Sequence, residues 1–318
     1  MLRSALLAAS RSAAWRSLVE RTPVMRPIVD RFVAGPSIDD AVRVAGQLTG
    51  RLISLDHLGE ATTDRADAER AVEAYQHALR RLGEEGLAGR AEVSVKLSAL
   101  GQALRADGEK IALDGTRRIC AAAAAAGTTV TVDMEDHTTT DSTLSIVREL
   151  RHDFPDTGTV LQSYLKRTEA DCADFAGPGS RIRLCKGAYD EPASVAYQEK
   201  SDVDSSYVRC LKILMAGAGY PMVASHDPRL IAIAEALAGR AGRTRQDYEF
   251  QMLYGVRPDE QEALSRRGLR MRVYLPYGTE WYPYFMRRLG ERPANVAFFL
   301  RALAHWPPWC GGRSPRRC

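Results

Sequence analysis

Eight short runs of apolar and β-branched residues recur along the chain, separated by longer stretches with apolar residues at helical spacing. Short runs of this kind, bounded by turn residues, are typical of buried strands in parallel sheets whose two faces are covered. The pattern predicts strands at Arg51–Leu55, Glu92–Leu97, Thr129–Met134, Thr159–Tyr164, Arg181–Lys186, Pro221–Ser225, Tyr248–Leu253 and Arg270–Leu275.

The intervening stretches predict helices, and Thr279 is the candidate N-cap of the helix that follows the eighth strand. The other predicted helices are Asp64–Leu87, Asp114–Ala126, Thr140–His152, Glu169–Phe175, Ala193–Gly219, Pro228–Ala238 and Pro258–Arg266. Eight strands alternating with eight helices favour an α/β fold of the (β/α)₈ barrel type. A doubly wound sheet is the alternative, but the glycine-rich turn expected after its first strand is missing from the sequence.

The pattern divides the chain into an N-terminal helical segment (1–50), a barrel domain (51–305) and a Pro-, Gly- and Arg-rich tail (306–318) that we expect to be mobile. The first 37 residues are rich in arginine and poor in acids, which is compatible with a transit peptide. Apolar residues at helical spacing favour instead an amphipathic segment that belongs to the fold or lies on a membrane or partner surface. Pro23 and Pro27 would interrupt a continuous helix there.

Composition narrows the class of protein. The 318 residues are 45% hydrophobic and 26% charged, with a net charge of +4, which is ordinary for a soluble globular protein and too mild to indicate nucleic acid. The six cysteines have no CxxC spacing, so they predict neither a disulfide framework nor a zinc site. No apolar run has the length of a membrane span. We therefore expect a cytoplasmic protein.

Polar residues gather where the predicted strands end. In a (β/α)₈ barrel the chemistry lies at the C-terminal ends of the strands. The polar residues at those ends are Lys96, Asp133, Gln162, Arg183, Lys186, Ser225, His226, Gln251 and Tyr274. Either a large polar ligand satisfies this set, which we favour, or an internal network does, with Lys96 paired to Asp133 and Arg183 to Glu135.

Two of the strand ends suit a phosphate-bearing ligand. Gly187 and Ala188 follow Lys186 and are small enough for backbone amides to approach a ligand closely. Ser225 and His226 lead into a predicted helix, whose first amides could hold a phosphate. A metal site within VDMEDH is disfavoured, because Asp133 and Glu135 share one strand face and Asp136 lies on the other. We expect no metal.

The helix after the eighth strand carries the adjacent arginines Arg287 and Arg288, with Tyr284 before them and Glu291 after them. Paired guanidiniums suit a carboxylate in bidentate geometry. The alternative is a solvated basic face with an intrahelical ion pair.

Several motifs resemble one known family: VSVKLSALG, VDMEDH, LQSYLKR, RLCKGAYDE, ASHD, YEFQMLYG, RVYLPYGT and YFMRRLGE. In order and spacing they resemble the monofunctional bacterial proline dehydrogenases over nearly the whole chain. The resemblance implies a distorted (β/α)₈ barrel that binds FAD without a Rossmann domain and oxidises L-proline to Δ1-pyrroline-5-carboxylate. It also implies a membrane quinone as electron acceptor, a link to a separate pyrroline-5-carboxylate dehydrogenase, and peripheral contact with the inner face of the membrane.

The same resemblance implies roles for individual residues. Asp133 and Arg183 would be the catalytic-centre residues, with Arg183 near the flavin. Substrate would be held by Lys96, Leu253, Tyr274, Tyr284, Arg287, Arg288 and Glu291. The cofactor would be held by Met134, Gln162, Arg183, Lys186, Gly187, Ala188, Tyr189, Ser225 and His226. Departures from the family pattern are Cys185, Ser225, Asp227 and Arg292 in place of Val, Thr, Asn and Asn.

Two other functions fit the basic barrel mouth. One is a Schiff-base aldolase with Lys96 or Lys186 as the nucleophile. The other is a non-catalytic protein that binds acidic ligands.

Overall fold

A computed structural model describes residues 26–59 and 62–291. Among these, 32–281 form one compact unit, and 26–31 and 282–291 belong to a second. The first half of the predicted N-terminal segment (1–25) and all of the predicted tail lie outside the described residues, so the predicted domain boundaries stay predictions. Within the described part, no helix is both long enough and apolar enough to cross a membrane.

Eight parallel strands close into a barrel in which each strand pairs with the next along the chain and the eighth returns to the first. The strands are β1 (Leu52–His57), β2 (Ala91–Val95), β3 (Val130–Val132), β4 (Gly158–Gln162), β5 (Arg181–Cys185), β6 (Tyr220–Ala224), β7 (Glu249–Leu253) and β8 (Met271–Tyr277). All eight predicted strands are present, and the predicted (β/α)₈ barrel is confirmed.

Helices alternate with the strands as the sequence predicts. They are α1 (Arg26–Asp30), α2 (Ile38–Gln47), α3 (Arg65–Glu84), α4 (Gly108–Ala126), α5 (Thr140–Asp153), α6 (Thr168–Phe175), α7 (Lys200–Ala216), α8 (Pro228–Arg240), α9 (Pro258–Arg266) and α10 (Trp281–Glu291). Ser37 and Asp40 form a capping box at the start of α2, which fixes where this helix begins before the barrel.

Three helix starts differ from the prediction. The alanine-rich α4 begins at Gly108, six residues early, directly after Asp107 in the left-handed region. Helix α7 begins at Lys200 rather than Ala193, because residues 186–199 form a loop whose backbone bonds to Tyr164 and Lys166. Helix α10 begins at Trp281, so Thr279 is not its N-cap. Helix ends depend on local capping, which hydrophobic spacing does not record.

An apolar layer between the sheet and the helices holds the barrel together, with fully buried Leu79, Leu82, Val93 and Leu211 among its members. The inside of the barrel is different, because side chains there come from alternate strand positions and many of them are charged. Glu92, Arg183, Glu249 and Arg272 are each at most 6% exposed. Burying such charges is stabilising only where they are paired.

Glu92 is the centre of this buried ion network. Its carboxylate lies 2.6 Å from Arg181, 3.5 Å from Arg183 and 3.8 Å from Arg272. Arg272 also bonds Glu249 at 2.6 Å. Burial alone would raise the pKa of Glu92, but Arg272, Arg181 and Arg183 outweigh it and hold the pKa below its ordinary value of 4.5. The carboxylate is therefore ionised in the folded protein at neutral pH.

The network predicts a stability change on removing the Glu92 charge. Because Glu92→Gln leaves three arginines short of their shared carboxylate, the free energy of unfolding should fall by about 3–5 kcal/mol. The folded pKa is depressed, so the Glu92 contribution is full above the unfolded pKa of about 4.5, declines as the pH falls below that value, and is lost as the pH falls through the folded pKa. In urea titrations from pH 3 to 7, the difference in free energy of unfolding between wild type and Glu92→Gln should become smaller as the pH falls.

Glu69→Gln is the matched control. Glu69 makes two 2.7 Å bonds to Arg118 on the surface, and its loss should cost less than about 1 kcal/mol. Equal losses in the two variants would contradict the role given to the buried network.

Candidate active site

Asp133 lies at the C-terminal end of β3 and joins three strands at the barrel mouth. It accepts hydrogen bonds from the Tyr274 hydroxyl at 2.7 Å, from Ser94 at 2.9 Å and from Arg183 at 2.5 Å. Burial, together with the neighbouring carboxylates of Asp133 and Asp56, raises the pKa of Tyr274. Its hydroxyl therefore stays protonated and acts as a donor, and two predicted site residues are held in fixed contact.

Arg183 connects this mouth to the ion network below it. Its guanidinium bonds Asp133, Ser54, Ser94 and Gln251, and its carbon lies 5.2 Å from the centre of the Tyr274 ring. The predicted alternative pairing of Arg183 with Glu135 is wrong, because Asp133 and Glu92 are its carboxylate partners. Strand alternation indicates which face of β5 Arg183 occupies, but it cannot indicate which carboxylate on the other strands Arg183 pairs with.

Lys96 pairs with Asp56 rather than with Asp133, which corrects the second predicted pairing. The Lys96 Nζ–Asp56 Oδ1 distance is 2.5 Å, and the side chains are 9% and 1% exposed. Asp56 is not among the predicted site residues, although it is a polar residue near the end of the first predicted strand. The available signal was strand alternation, which places Ser54 and Asp56 on the same, inward face.

Lys186 lies at the end of β5 within a second cluster of charges. Its Nζ is 2.6 Å from Asp204 on α7 and 3.7 Å from Asp227. Arg229 bonds the same two carboxylates. Asp227 caps α8 by accepting from the Arg229 amide, and Ser225 accepts from the Asp227 amide. This cluster combines cations with a helix start, the chemistry that the sequence predicted for binding a phosphate.

The loop after β5 is held by close packing around Gly187. This glycine has a φ of +109°, and a Cβ there would lie 2.3 Å from the Tyr164 ring. Tyr164 donates to Glu191, which also accepts from the backbone and ring of His137. The predicted cofactor residues Gly187, Ala188 and Tyr189 therefore sit on a loop clamped to the ends of β3 and β4.

The remaining predicted residues surround the same mouth. Gln162 is buried and donates to the Glu135 carbonyl at 2.7 Å. His226 accepts from the Leu253 amide at 3.0 Å through Nε2, which links the ends of β6 and β7. Met134, which follows Asp133 in the sequence, is buried.

Helix α10 carries the predicted Tyr284 and Arg288. The Arg288 guanidinium carbon lies 5.2 Å from the centre of the Tyr284 ring. The side chains of the predicted Arg287 and Glu291 lie outside the described part of the structure.

A cavity of about 610 Å³ opens at the other end of the barrel, beside Tyr220 and Arg270. Its walls include Arg243, whose five hydrogen bonds go to backbone carbonyls. Since chemistry in (β/α)₈ barrels lies at the C-terminal ends of the strands, the candidate active site is the Asp133 mouth. Among the residues described, no cluster of His, Cys, Asp and Glu could hold a metal ion.

A (β/α)₈ barrel with paired acidic and basic side chains at its mouth, Asp133 with Arg183 and Asp56 with Lys96, has the architecture of a barrel enzyme. A family model described as proline dehydrogenase matches residues 43–301. The chain belongs to the proline dehydrogenase family, the oxidoreductases of proline catabolism.

Named relatives support this membership. Proline dehydrogenase 1 of Bacillus subtilis is 39% identical over 275 residues, covering 86% of this chain and 89% of that protein. The proline dehydrogenase of Deinococcus radiodurans is 41% identical over 281 residues, covering 87% and 90%.

A solved structure shares the fold. The crystal structure of proline utilization A (PutA) from Bdellovibrio bacteriovorus, inactivated by N-propargylglycine, matches with a TM-score of 0.76 and 26% identity. The match covers 83% of this chain and 32% of that one, so this chain spans about a third of the length of PutA.

The clamped loop gives a prediction about Gly187. Gly187→Ala adds both a strained φ and a clash with the Tyr164 ring, so thermal unfolding should show a loss of about 3 kcal/mol. Gly179→Ala is the matched control, since Gly179 has a φ of +73° but no atom lies within 4 Å of the position that its Cβ would take. It should lose only about 1 kcal/mol. Similar losses in both variants would show that the Tyr164 contact is unimportant.

Proposed function

We propose that this protein oxidises L-proline to Δ1-pyrroline-5-carboxylate by transferring a hydride to bound FAD. Family membership supports proline oxidation. The observation that carries the assignment to this site is the Tyr274–Asp133–Arg183 contact, which joins β8 and β5 to the C-terminal end of β3. It joins a hydroxyl, a carboxylate and a guanidinium in fixed geometry where a barrel enzyme binds its substrate.

The substrate carboxylate is held by cations in this proposal. Lys96 at the end of β2 supplies one, and the family resemblance assigns Arg287 and Arg288 to the same task. The same resemblance assigns Tyr274, Tyr284 and Leu253 to the surroundings of the proline ring, and Glu291 to the orientation of the arginines. The two lysines proposed for an aldolase, Lys96 and Lys186, are both paired with carboxylates. Such pairing suits ammonium cations rather than a neutral amine nucleophile, so an aldolase is not favoured.

The residues at the ends of β4, β5 and β6 fit a flavin nucleotide. Lys186, beside the capped start of α8, offers charge for a diphosphate, and Ser225 and His226 lie next to that helix start. The Gln162 amide, Met134 and the clamped residues Gly187, Ala188 and Tyr189 complete the proposed FAD site. When bound, FAD supplies the hydride acceptor, while the protein supplies position and field. Arg183 contributes a fixed positive charge and Asp133 orients it.

Proline oxidation also needs a final electron acceptor and a consumer of the product. We propose a membrane quinone for the first and a separate pyrroline-5-carboxylate dehydrogenase for the second. A lipid-soluble acceptor requires the enzyme to reach the membrane. We therefore propose a cytoplasmic enzyme with peripheral contact at the inner face, made by the N-terminal segment, whose first 25 residues lie outside the described structure.

The direct test is spectroscopic and kinetic. The purified protein should show flavin absorbance bands, and anaerobic L-proline should bleach them with a rate that saturates. A soluble dye should then be reduced in proportion to the proline consumed. If the purified protein lacks flavin and is trapped with a carbonyl substrate by borohydride, it is an aldolase instead. If it binds acidic ligands tightly without converting them, it is a non-catalytic binding protein.

Arg183→Gln tests the proposed flavin environment. Loss of a positive charge next to a reduced flavin should cost roughly 1–4 kcal/mol of charge stabilisation. For a two-electron couple this lowers the reduction potential by roughly 20–90 mV. Redox titration should show this shift together with slower bleaching by proline.

Arg181→Gln is the control on the same strand. Arg181 bonds Glu92 at 2.6 Å but enters from the N-terminal end of β5, one inward position below Arg183. It should destabilise the fold while leaving the flavin potential unchanged. An unchanged potential in Arg183→Gln would show that Arg183 acts only as a structural partner of Asp133 and Glu92.

A further inference from the structure

Asp56 has one carboxylate oxygen that has no hydrogen-bond donor among the residues that the structure describes. Its Oδ1 accepts from Lys96 at 2.5 Å, whereas its Oδ2 is buried without a hydrogen-bond partner. Leaving an acceptor buried and unsatisfied costs about 1–3 kcal/mol, and more when the group is charged. An orphaned atom of this kind, at the mouth of a barrel enzyme, indicates that a ligand supplies the missing donor.

The groups around Asp56 do not supply that donor. Asp56 lies opposite Ser94 in β2 and Pro276 in β8. Ser94 donates to Asp133, and a proline has no backbone N–H to offer. His57, the next residue, packs its ring against Tyr75 and Tyr277, at 5.9 and 5.2 Å between ring centres. Within the described part of the chain, Oδ2 is therefore a buried acceptor without a donor, which a donor carried by the substrate would satisfy.

We propose that Asp56 Oδ2 accepts the ring N–H of proline. This inference rests on the proposed oxidation of proline at this site. In an α-amino acid a single carbon atom separates the carboxylate from the amine nitrogen. A substrate whose carboxylate lies at Lys96 thus brings its nitrogen beside the carboxylate that Lys96 already contacts. The substrate carboxylate itself would be repelled by Asp56, so the N–H is the polar group of proline that can face it.

The same contact becomes stronger as the reaction proceeds. The ring carbon next to nitrogen loses its hydrogen with both bonding electrons to the hydride acceptor. The nitrogen lone pair then forms the C=N bond, and the nitrogen becomes a cationic iminium that keeps its hydrogen. A fixed carboxylate that accepts this N–H is attracted more strongly as positive charge develops, and so it lowers the barrier as well as binding the substrate.

The competing explanation is that Asp56 only holds Lys96 in place. Two ligands separate the explanations: L-proline, and cyclopentanecarboxylate, in which a CH₂ replaces the ring N–H. Both present a carboxylate to Lys96, but only proline has a donor for Asp56. The experiment uses the flavin-loaded protein and measures kcat/KM for proline and, by calorimetry, the dissociation constant of cyclopentanecarboxylate.

Asp56→Asn should lower kcat/KM for proline by about 10- to 100-fold, the range for a hydrogen bond between charged groups. Its dissociation constant for cyclopentanecarboxylate should stay within about 3-fold of wild type. Asp171→Asn is the matched control, because Asp171 is also buried and bonds an arginine, Arg167, at 2.9 and 3.0 Å on α6. Asp171→Asn should change neither kcat/KM for proline nor the dissociation constant of cyclopentanecarboxylate.

If Asp56→Asn lowers kcat/KM for proline and weakens the binding of cyclopentanecarboxylate by similar factors, the proposal is overturned and Asp56 only supports Lys96. An unchanged kcat/KM for proline would overturn it as well. If Asp56→Asn does not fold, Asp56→Glu replaces it, since this variant keeps the charge but moves the oxygens by one methylene. Again kcat/KM for proline should fall while the dissociation constant of cyclopentanecarboxylate stays near that of wild type. Failure of the proposed function is distinguishable, because wild type itself would then neither oxidise proline nor bind the ring acid.

Discussion

The pairing of Glu92 with three arginines is the interaction on which the rest of the barrel interior depends. Guanidiniums from β5 and β8 converge inside a closed sheet, where isolated charges would be strongly destabilising. Glu92 and Glu249 make that convergence possible. Arg183 then extends the network upward to Asp133, and Asp133 to Tyr274, so that a continuous chain of contacts runs from the buried network to the mouth.

This arrangement fixes the mouth from within the sheet rather than from the loops. Asp133 is held by groups from β2, β5 and β8, so its orientation does not depend on a mobile segment. Groups that are already oriented before the substrate arrives need no reorganisation during the reaction, which is the main source of electrostatic stabilisation in enzymes. A change at Glu92 should accordingly be felt at Asp133, since Arg183 contacts both.

The sequence predicted the parts of this structure that depend on the spacing of apolar residues and on the order of strands and helices along the chain. The count of strands and helices predicted the barrel, and the strand ends predicted that Asp133 and Arg183 lie at its mouth. It could not predict that Lys96 meets Asp56, because alternation puts Asp56 and Asp133 both inside and only the register between strands selects one of them. Asp56 pairs with Ser94 across β1 and β2, which brings it next to the end of β2, where Lys96 follows. The start of α7 was missed for a related reason, since residues 186–199 are held by contacts with Tyr164, Lys166 and His137, which lie far from them in the sequence.

The charges at the barrel mouth also explain what kind of ligand it suits. Among the described residues of the barrel unit, Lys96 and Arg183 are matched there by Asp56 and Asp133. A simple carboxylate would gain from Lys96 but would face Asp56 directly. An amino acid carries an N–H group one carbon away from its carboxylate, so it can satisfy the ammonium and the open carboxylate oxygen together. Under the contact proposed for Asp56, the mouth selects for a ligand with both groups, because a ligand lacking the donor would leave that buried oxygen unsatisfied.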